Sequence, residues 1–145
     1  LIGGAAGAFL TSQDLDVRLD FDSLAGQAAV LGSGAVLVMD ETACIVDMLG
    51  SILRFFRHES CGQCVPCRVG TDLLVRLLEG IRRGMANGEA LSRMVEIVDV
   101  MRLSSLCPLG QSLALPVRSA LENFREEFLA HLEGHPCPAC SGRPQ

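Results

Sequence analysis

The chain has 145 residues, 49% of them apolar, with a net charge of −5 and a pI near 5.1. That is enough chain to bury the core of one ordinary domain. The acidic balance and the absence of Trp and Tyr exclude the basic stripe and stacking aromatics of a nucleic-acid binder.

Residues 1–42 are rich in glycine and irregular, and read as a connecting segment. Within it GAFL suits a short strand, and Phe21 to Ala28 a short helix with Asp22 or Ser23 near its cap. The run AVLVM, residues 35–39, follows GSG and reads as a buried strand. Because a strand follows the GSG and a phosphate-cradling loop needs a helix there, these glycines read as a turn. VLGSGAVLVM is broken by Gly and Ser and is too short to cross a bilayer, so direct membrane insertion is not expected.

From Thr42 the apolar period becomes helical. Ile45, Met48, Leu49, Ile52 and Phe56 recur at three and four, predicting a helix that ends near Arg57–Ser60. Pro66 suits the first turn of a second helix, which carries Leu73, Leu74, Leu77, Leu78, Ile81 and Met85. GMANGE is a stop and turn. A third helix carries Leu91, Met94, Val95, Val98 and Met101. A fourth spans about Pro108 to Leu132, with Val117, Leu121, Phe124, Phe128 and Leu132 on one face, and Pro116 should kink it or split off a short first piece. Short connections predict a mainly α fold: an antiparallel four-helix bundle over residues 43–133, preceded by a short α/β segment and followed by a flexible tail, residues 134–145.

Seven cysteines form an odd count that suits a disulfide framework poorly. LIGGAAGAFL lacks the basic leader and long apolar core of a signal peptide, and its opening on Leu suggests a fragment. A reducing, cytoplasmic setting is expected, where clustered cysteines signify metal or redox chemistry. Cys61, Cys64 and Cys67 lie in ESCGQCVPCR, and Cys107 lies in SSLCPLG, with 39 residues between it and Cys67. Two antiparallel helices and a turn consume about that length, so the four thiols should meet at one end of the bundle. Zinc sites usually pair their ligands as CxxC with CxxC or HxxxH. A close trio plus one remote Cys followed by Pro is instead the habit of a 4Fe–4S cluster, with structural zinc as the alternative. Pro66 and Pro108 would place two helix N-termini beside the ligands, where free N–H groups stabilise an anionic cluster. Arg57 and Arg68 would add positive charge.

SCGQCVPCR and SLCPLGQS, together with GGAAGAFL, LDFDSL and LGSGAVLVMDE, resemble the C-terminal iron–sulfur region of the 51 kDa-type flavoprotein subunit of respiratory NADH dehydrogenase. The diaphorase subunits of NAD-linked hydrogenases and formate dehydrogenases are similar. The resemblance covers about residues 3–132. It implies that residues 1–42 end a β-grasp domain and that Cys61, Cys64, Cys67 and Cys107 bind one 4Fe–4S cluster. It also implies that FMN and NAD are bound by an upstream domain whose glycine-rich motifs are not in this sequence. Electrons would pass from FMN through the cluster to a thioredoxin-like 2Fe–2S subunit and a larger iron–sulfur subunit. The expected setting is cytoplasmic, or the cytoplasmic face of a membrane within such a complex. This chain alone should not oxidise NADH. A zinc-stapled interaction module without redox activity is the competing class.

The remaining candidates have plainer readings. Cys44 reads as a small buried hydrophobe, His58 as a helix C-terminal residue facing its own dipole, and His131 and His135 as surface residues. Glu59 reads as a solvated loop charge or as a residue facing the flavin side, and Glu122, Glu126, Glu127 and Glu133 as the solvated face of the fourth helix. Cys137 and Cys140 form a CPAC that starts a ferredoxin-like extension, supplies half a zinc site, or holds two free thiols.

Overall fold

The computed structural model describes residues 1–135, so Cys137 and Cys140 lie outside the described residues. The first helix, α1 (Phe21–Gly26), is capped by Asp20, whose carboxylate accepts the Ser23 N–H at 2.7 Å. Neither expected strand forms among the described residues. Ile2 makes isolated antiparallel bridges to Ala8 and to Val36. The backbone of AVLVM pairs with the first three residues, through Gly3 N–H to Ala35 O, Leu37 N–H to Leu1 O and the Leu1 amino group to Leu37 O. A segment paired along so short a length gains neither a ladder nor cover, and Val38 is 80% exposed. The turn before it fits its reading: Gly32 and Gly34 have φ of 51° and 74°. A Cβ on Gly32 would stand 2.5 Å from Gly3 O, so the chain needs glycine there both for the dihedral and for the approach.

The rest is helical: α2 (Ile45–Glu59), α3 (Val65–Arg82), α4 (Glu89–Ser104), α5 (Pro108–Gln111), α6 (Ala114–Asn123) and α7 (Arg125–Leu132). None is long and apolar enough to cross a membrane among the described residues. The apolar periodicity explains α2 to α4, because Ile45, Leu49, Ile52 and Phe56, then Leu74, Leu78 and Ile81, then Leu91, Met94, Val98 and Met101 are all buried in one core. In that core α2 packs on α3, α3 on α4 and α4 on α6, while α6 and α7 return to α2. Gly70 lets α3 and α4 approach closely, since a Cβ there would meet Met101 Sδ at 2.4 Å.

The fourth arm is three pieces. Pro116 is buried as the third residue of α6, in the first turn, where a missing N–H costs no helical bond. The helix therefore starts just ahead of it instead of kinking at it. The second break, at Phe124 (φ −127°, ψ 30°), has a tertiary cause. Phe9 is fully buried, and its ring meets Phe124 edge-on at 6.5 Å. The Phe9 N–H donates to Ser119 Oγ at 2.9 Å, and its carbonyl accepts from Asn123 Nδ2 at 2.7 Å. Burying that ring is worth about 1.5–3 kcal/mol, and it ties the opening segment to α6.

Two readings of the fourth arm are corrected by packing. His131 is 5% exposed, with Nε2 3.5 Å from Cys44 Sγ, so it is not a surface residue. Glu127 leaves the solvated face to accept the Ile45 N–H at 3.0 Å, capping α2 from another helix. Cys44 is buried, as a small hydrophobe would be, and it stands at the N-cap of α2.

Candidate metal centre

The loop between α2 and α3 begins at Ser60, where α2 ends in extended backbone. Gly62 then turns the chain at φ 77°. Arg68 reaches back from α3 to donate Nη1–H to Gly62 O at 2.6 Å, which fixes the turn. Cys64 is the N-cap of α3, with Val65 and Pro66 as its first two residues. Pro fits there because its fixed φ is helical and its absent N–H had no partner to lose. Arg57 is spent elsewhere: it pairs with Asp72 at 3.6 Å.

The second loop leaves α4 at Ser105 and reaches Cys107, which caps α5 with Pro108 first in that helix. Because α5 is a single turn, the expected pair of helix N-termini reduces to one of full length, that of α3. The loop compensates with backbone donors. Cys64 has its pKa lowered, first by the N–H of Leu106 from the second loop and then by the N–H of Cys67 from its own helix. One sulfur is thus solvated by both loops, the condition that favours a thiolate.

Cys67 is 4% exposed and its pKa is raised, first by burial. The charges of Cys64, Cys107 and Cys61 raise it further, while Ser60 Oγ, 3.3 Å from its sulfur, opposes them. Cys67 thus feels the other three predicted thiols, of which Cys61 and Cys107 are exposed. Among the described residues, no three His, Cys, Asp or Glu side chains close to the spacing of a single shared ion.

Space at the junction of the two loops is reserved by glycine. A Cβ on Gly110 would stand 2.4 Å from Ser105 Oγ and 3.0 Å from Cys67 Cβ. Ser105 is 6% exposed, and its hydroxyl makes no hydrogen bond. A buried hydroxyl left unpaired costs about 1–3 kcal/mol, so it marks a donor held ready for an acceptor. Soft thiolates, backbone donors from two loops and an unspent hydroxyl together fit an anionic, thiolate-bound metal group. Ser60 and Ser105 do not stand out in the sequence. Their one signal is position: each cysteine loop is entered through a serine, in ESC and in SSLC.

Residues 47–131 match the family described as the NADH-ubiquinone oxidoreductase-F iron–sulfur binding region. The NADH-quinone oxidoreductase F protein of Mycobacterium tuberculosis is 39% identical over 136 residues, covering 94% of this chain and 31% of that protein. The HndC protein of the NADP-reducing hydrogenase of Solidesulfovibrio fructosivorans is 37% identical over 137 residues, covering 94% and 28%. Among solved structures, an NAD+-reducing NiFe-hydrogenase in the H2-reduced state superposes with a TM-score of 0.81 at 37% identity, covering 96% of this chain and 23% of that one. The chain thus spans less than a third of the length of each of these relatives.

Proposed function

The chain belongs to the family of NADH-ubiquinone oxidoreductase-F iron–sulfur binding regions, and on that premise we propose that Cys61, Cys64, Cys67 and Cys107 hold one 4Fe–4S cluster that relays electrons in an NADH-linked oxidoreductase. When bound, such a cluster supplies a store for one electron at a time. Residues 43–133 are the cluster-binding unit and residues 1–42 connect it to an upstream part that binds FMN and NADH. The electrons leave for iron–sulfur partner subunits.

The division of labour among the chain's residues follows from their surroundings. Cys67 anchors the group from inside the fold, and Cys61 and Cys107 hold it at the surface, where donor and acceptor must approach. The N–H groups of Leu106 and Cys67 offset negative charge at the Cys64 sulfur. Ser60 does the same for Cys67 at 3.3 Å. Arg68 keeps the trio loop in its turn by holding Gly62 O.

The observation that carries this reading is the meeting of the two cysteine loops, where Gly110 lies against both Cys67 and Ser105 and the buried Ser105 hydroxyl is unpaired. Its test is metal and acid-labile sulfide analysis of the anaerobically reconstituted chain, with EPR after dithionite reduction. The expected result is about four iron and four sulfide per chain, with a low-temperature signal on reduction. One zinc with no sulfide and no signal overturns it.

A further inference from the structure

Most serines near the helices spend their hydroxyls on the backbone. Ser51 donates to Asp47 O at 3.1 Å, Ser112 to Leu109 O at 3.3 Å and Ser119 to Leu115 O at 2.8 Å. Ser105 cannot follow them, because it has already left α4 in extended backbone (φ −72°, ψ 143°). Its main chain is nevertheless pinned on both sides. The N–H donates to Met101 O at 2.9 Å, and the carbonyl accepts from Gln111 Nε2 at 2.9 Å. The side chain has little freedom to turn toward solvent, and Gly110 and Cys67 close it in. Its hydroxyl makes no hydrogen bond, and it lies where the two cysteine loops meet, with Gly110 set against both it and Cys67 Cβ.

Resting on the ligand set proposed above, we infer that Ser105 donates its hydroxyl hydrogen to the thiolate-bound metal group at the junction of the two cysteine loops and thereby helps set the reduction potential of the cluster. A metal-bound thiolate accepts more strongly than a thiol, so the hydroxyl left open in the metal-free chain gains an acceptor when the group is bound. Reduction adds negative charge to the group, and a donor at its ligand stabilises the reduced form more than the oxidised one. Ser105 is thus a positioning and tuning residue. The α4–α5 connection brings one ligand, Cys107, and one donor, the Ser105 hydroxyl, to the same junction.

The test compares wild type with Ser105→Ala as cluster-loaded chain, by EPR-monitored redox titration, iron and sulfide content, and urea unfolding of the metal-free form. The variant should keep its iron and titrate at lower potential. At the wild-type midpoint its ratio of reduced to oxidised cluster should fall by about three- to tenfold, a tenfold change being 59 mV for one electron. The metal-free variant should be as stable as wild type or more so, because alanine removes an unpaired buried hydroxyl. An unchanged midpoint at full iron content overturns the inference. So does a metal-free variant that is destabilised or fails to fold, which would make the hydroxyl structural. Wild-type chain that takes up zinc without sulfide would overturn the underlying cluster reading itself, before any variant is compared.

Discussion

Cysteines stand at both ends of α2, and the two ends treat them differently. At the start of the helix Cys44 is buried, with the His131 imidazole 3.5 Å from its sulfur, and the adjacent Ile45 N–H is capped by Glu127. About 22 Å along the helix, the chain enters the loop of Cys61, Cys64 and Cys67, where two of the three sulfurs reach the surface or its edge. There Cys64 faces backbone N–H groups from two loops, and a neighbouring hydroxyl is unspent. The first end is closed by its own side chains. The second is assembled from donors and soft ligands. Surroundings, more than residue type, separate a packing thiol from a ligand.

The largest effect should come from exchanging one cysteine at each end. Cys107→Ser should lose most of the iron and sulfide of the reconstituted chain, whereas Cys44→Ser should retain about four of each. Equal metal content in the two variants would erase the contrast. Gly110→Ala comes next. Its methyl collides with Ser105 and with Cys67 Cβ, so a destabilisation of about 1–3 kcal/mol is expected in urea unfolding, with reduced iron uptake. Gly70→Ala meets side-chain atoms of Met101 and Ile97, which can shift along the α3–α4 contact, and should leave iron uptake intact. At the closed end, Glu127→Ala removes the cap on α2 and should cost about 1 kcal/mol, again with iron content unchanged.

The smallest effect concerns neither end. Asp99 on α4 accepts from Arg118 on α6 at 2.6 Å, and that hydrogen bond holds its carboxyl below the ordinary range. Its folded pKa is depressed, so its contribution is complete above the unfolded value of about 3.9 and fades as pH falls through the lower folded value. Metal-free Asp99→Asn should therefore show a slightly flatter loss of stability below about pH 4 in acid titrations followed by circular dichroism.

The sequence made α2, α3 and α4 legible because each repeats its apolar residues on one face and is bounded by local signals, Pro66 and Gly84 among them. The trio and Cys107 were legible from spacing. What escaped was tertiary. No glycine or proline announces the break at Phe124, which follows from Phe9 lying more than a hundred residues away in the chain. His131 sits three residues after Phe128 and so shares its face, but a histidine reads as polar until its buried partner is known. The exposure of AVLVM could not be read either, since apolar content does not say whether anything lies across from it. Ser105 escapes a reading of the sequence because an unpaired hydroxyl is visible only once its neighbours are placed.

Gly70 against Met101 brings the loops before α3 and after α4 to the same junction, with positions 68 to 106 between Cys67 and Cys107. A metal group bonded to both cysteines closes that stretch into a ring. By the chain-entropy model used for cross-links, closing a loop of this size removes about 4 kcal/mol of freedom from the unfolded chain. Cluster loading would then slow the escape of α3 and α4 from each other, so these two helices should be the last to open to hydrogen exchange or protease in the loaded protein.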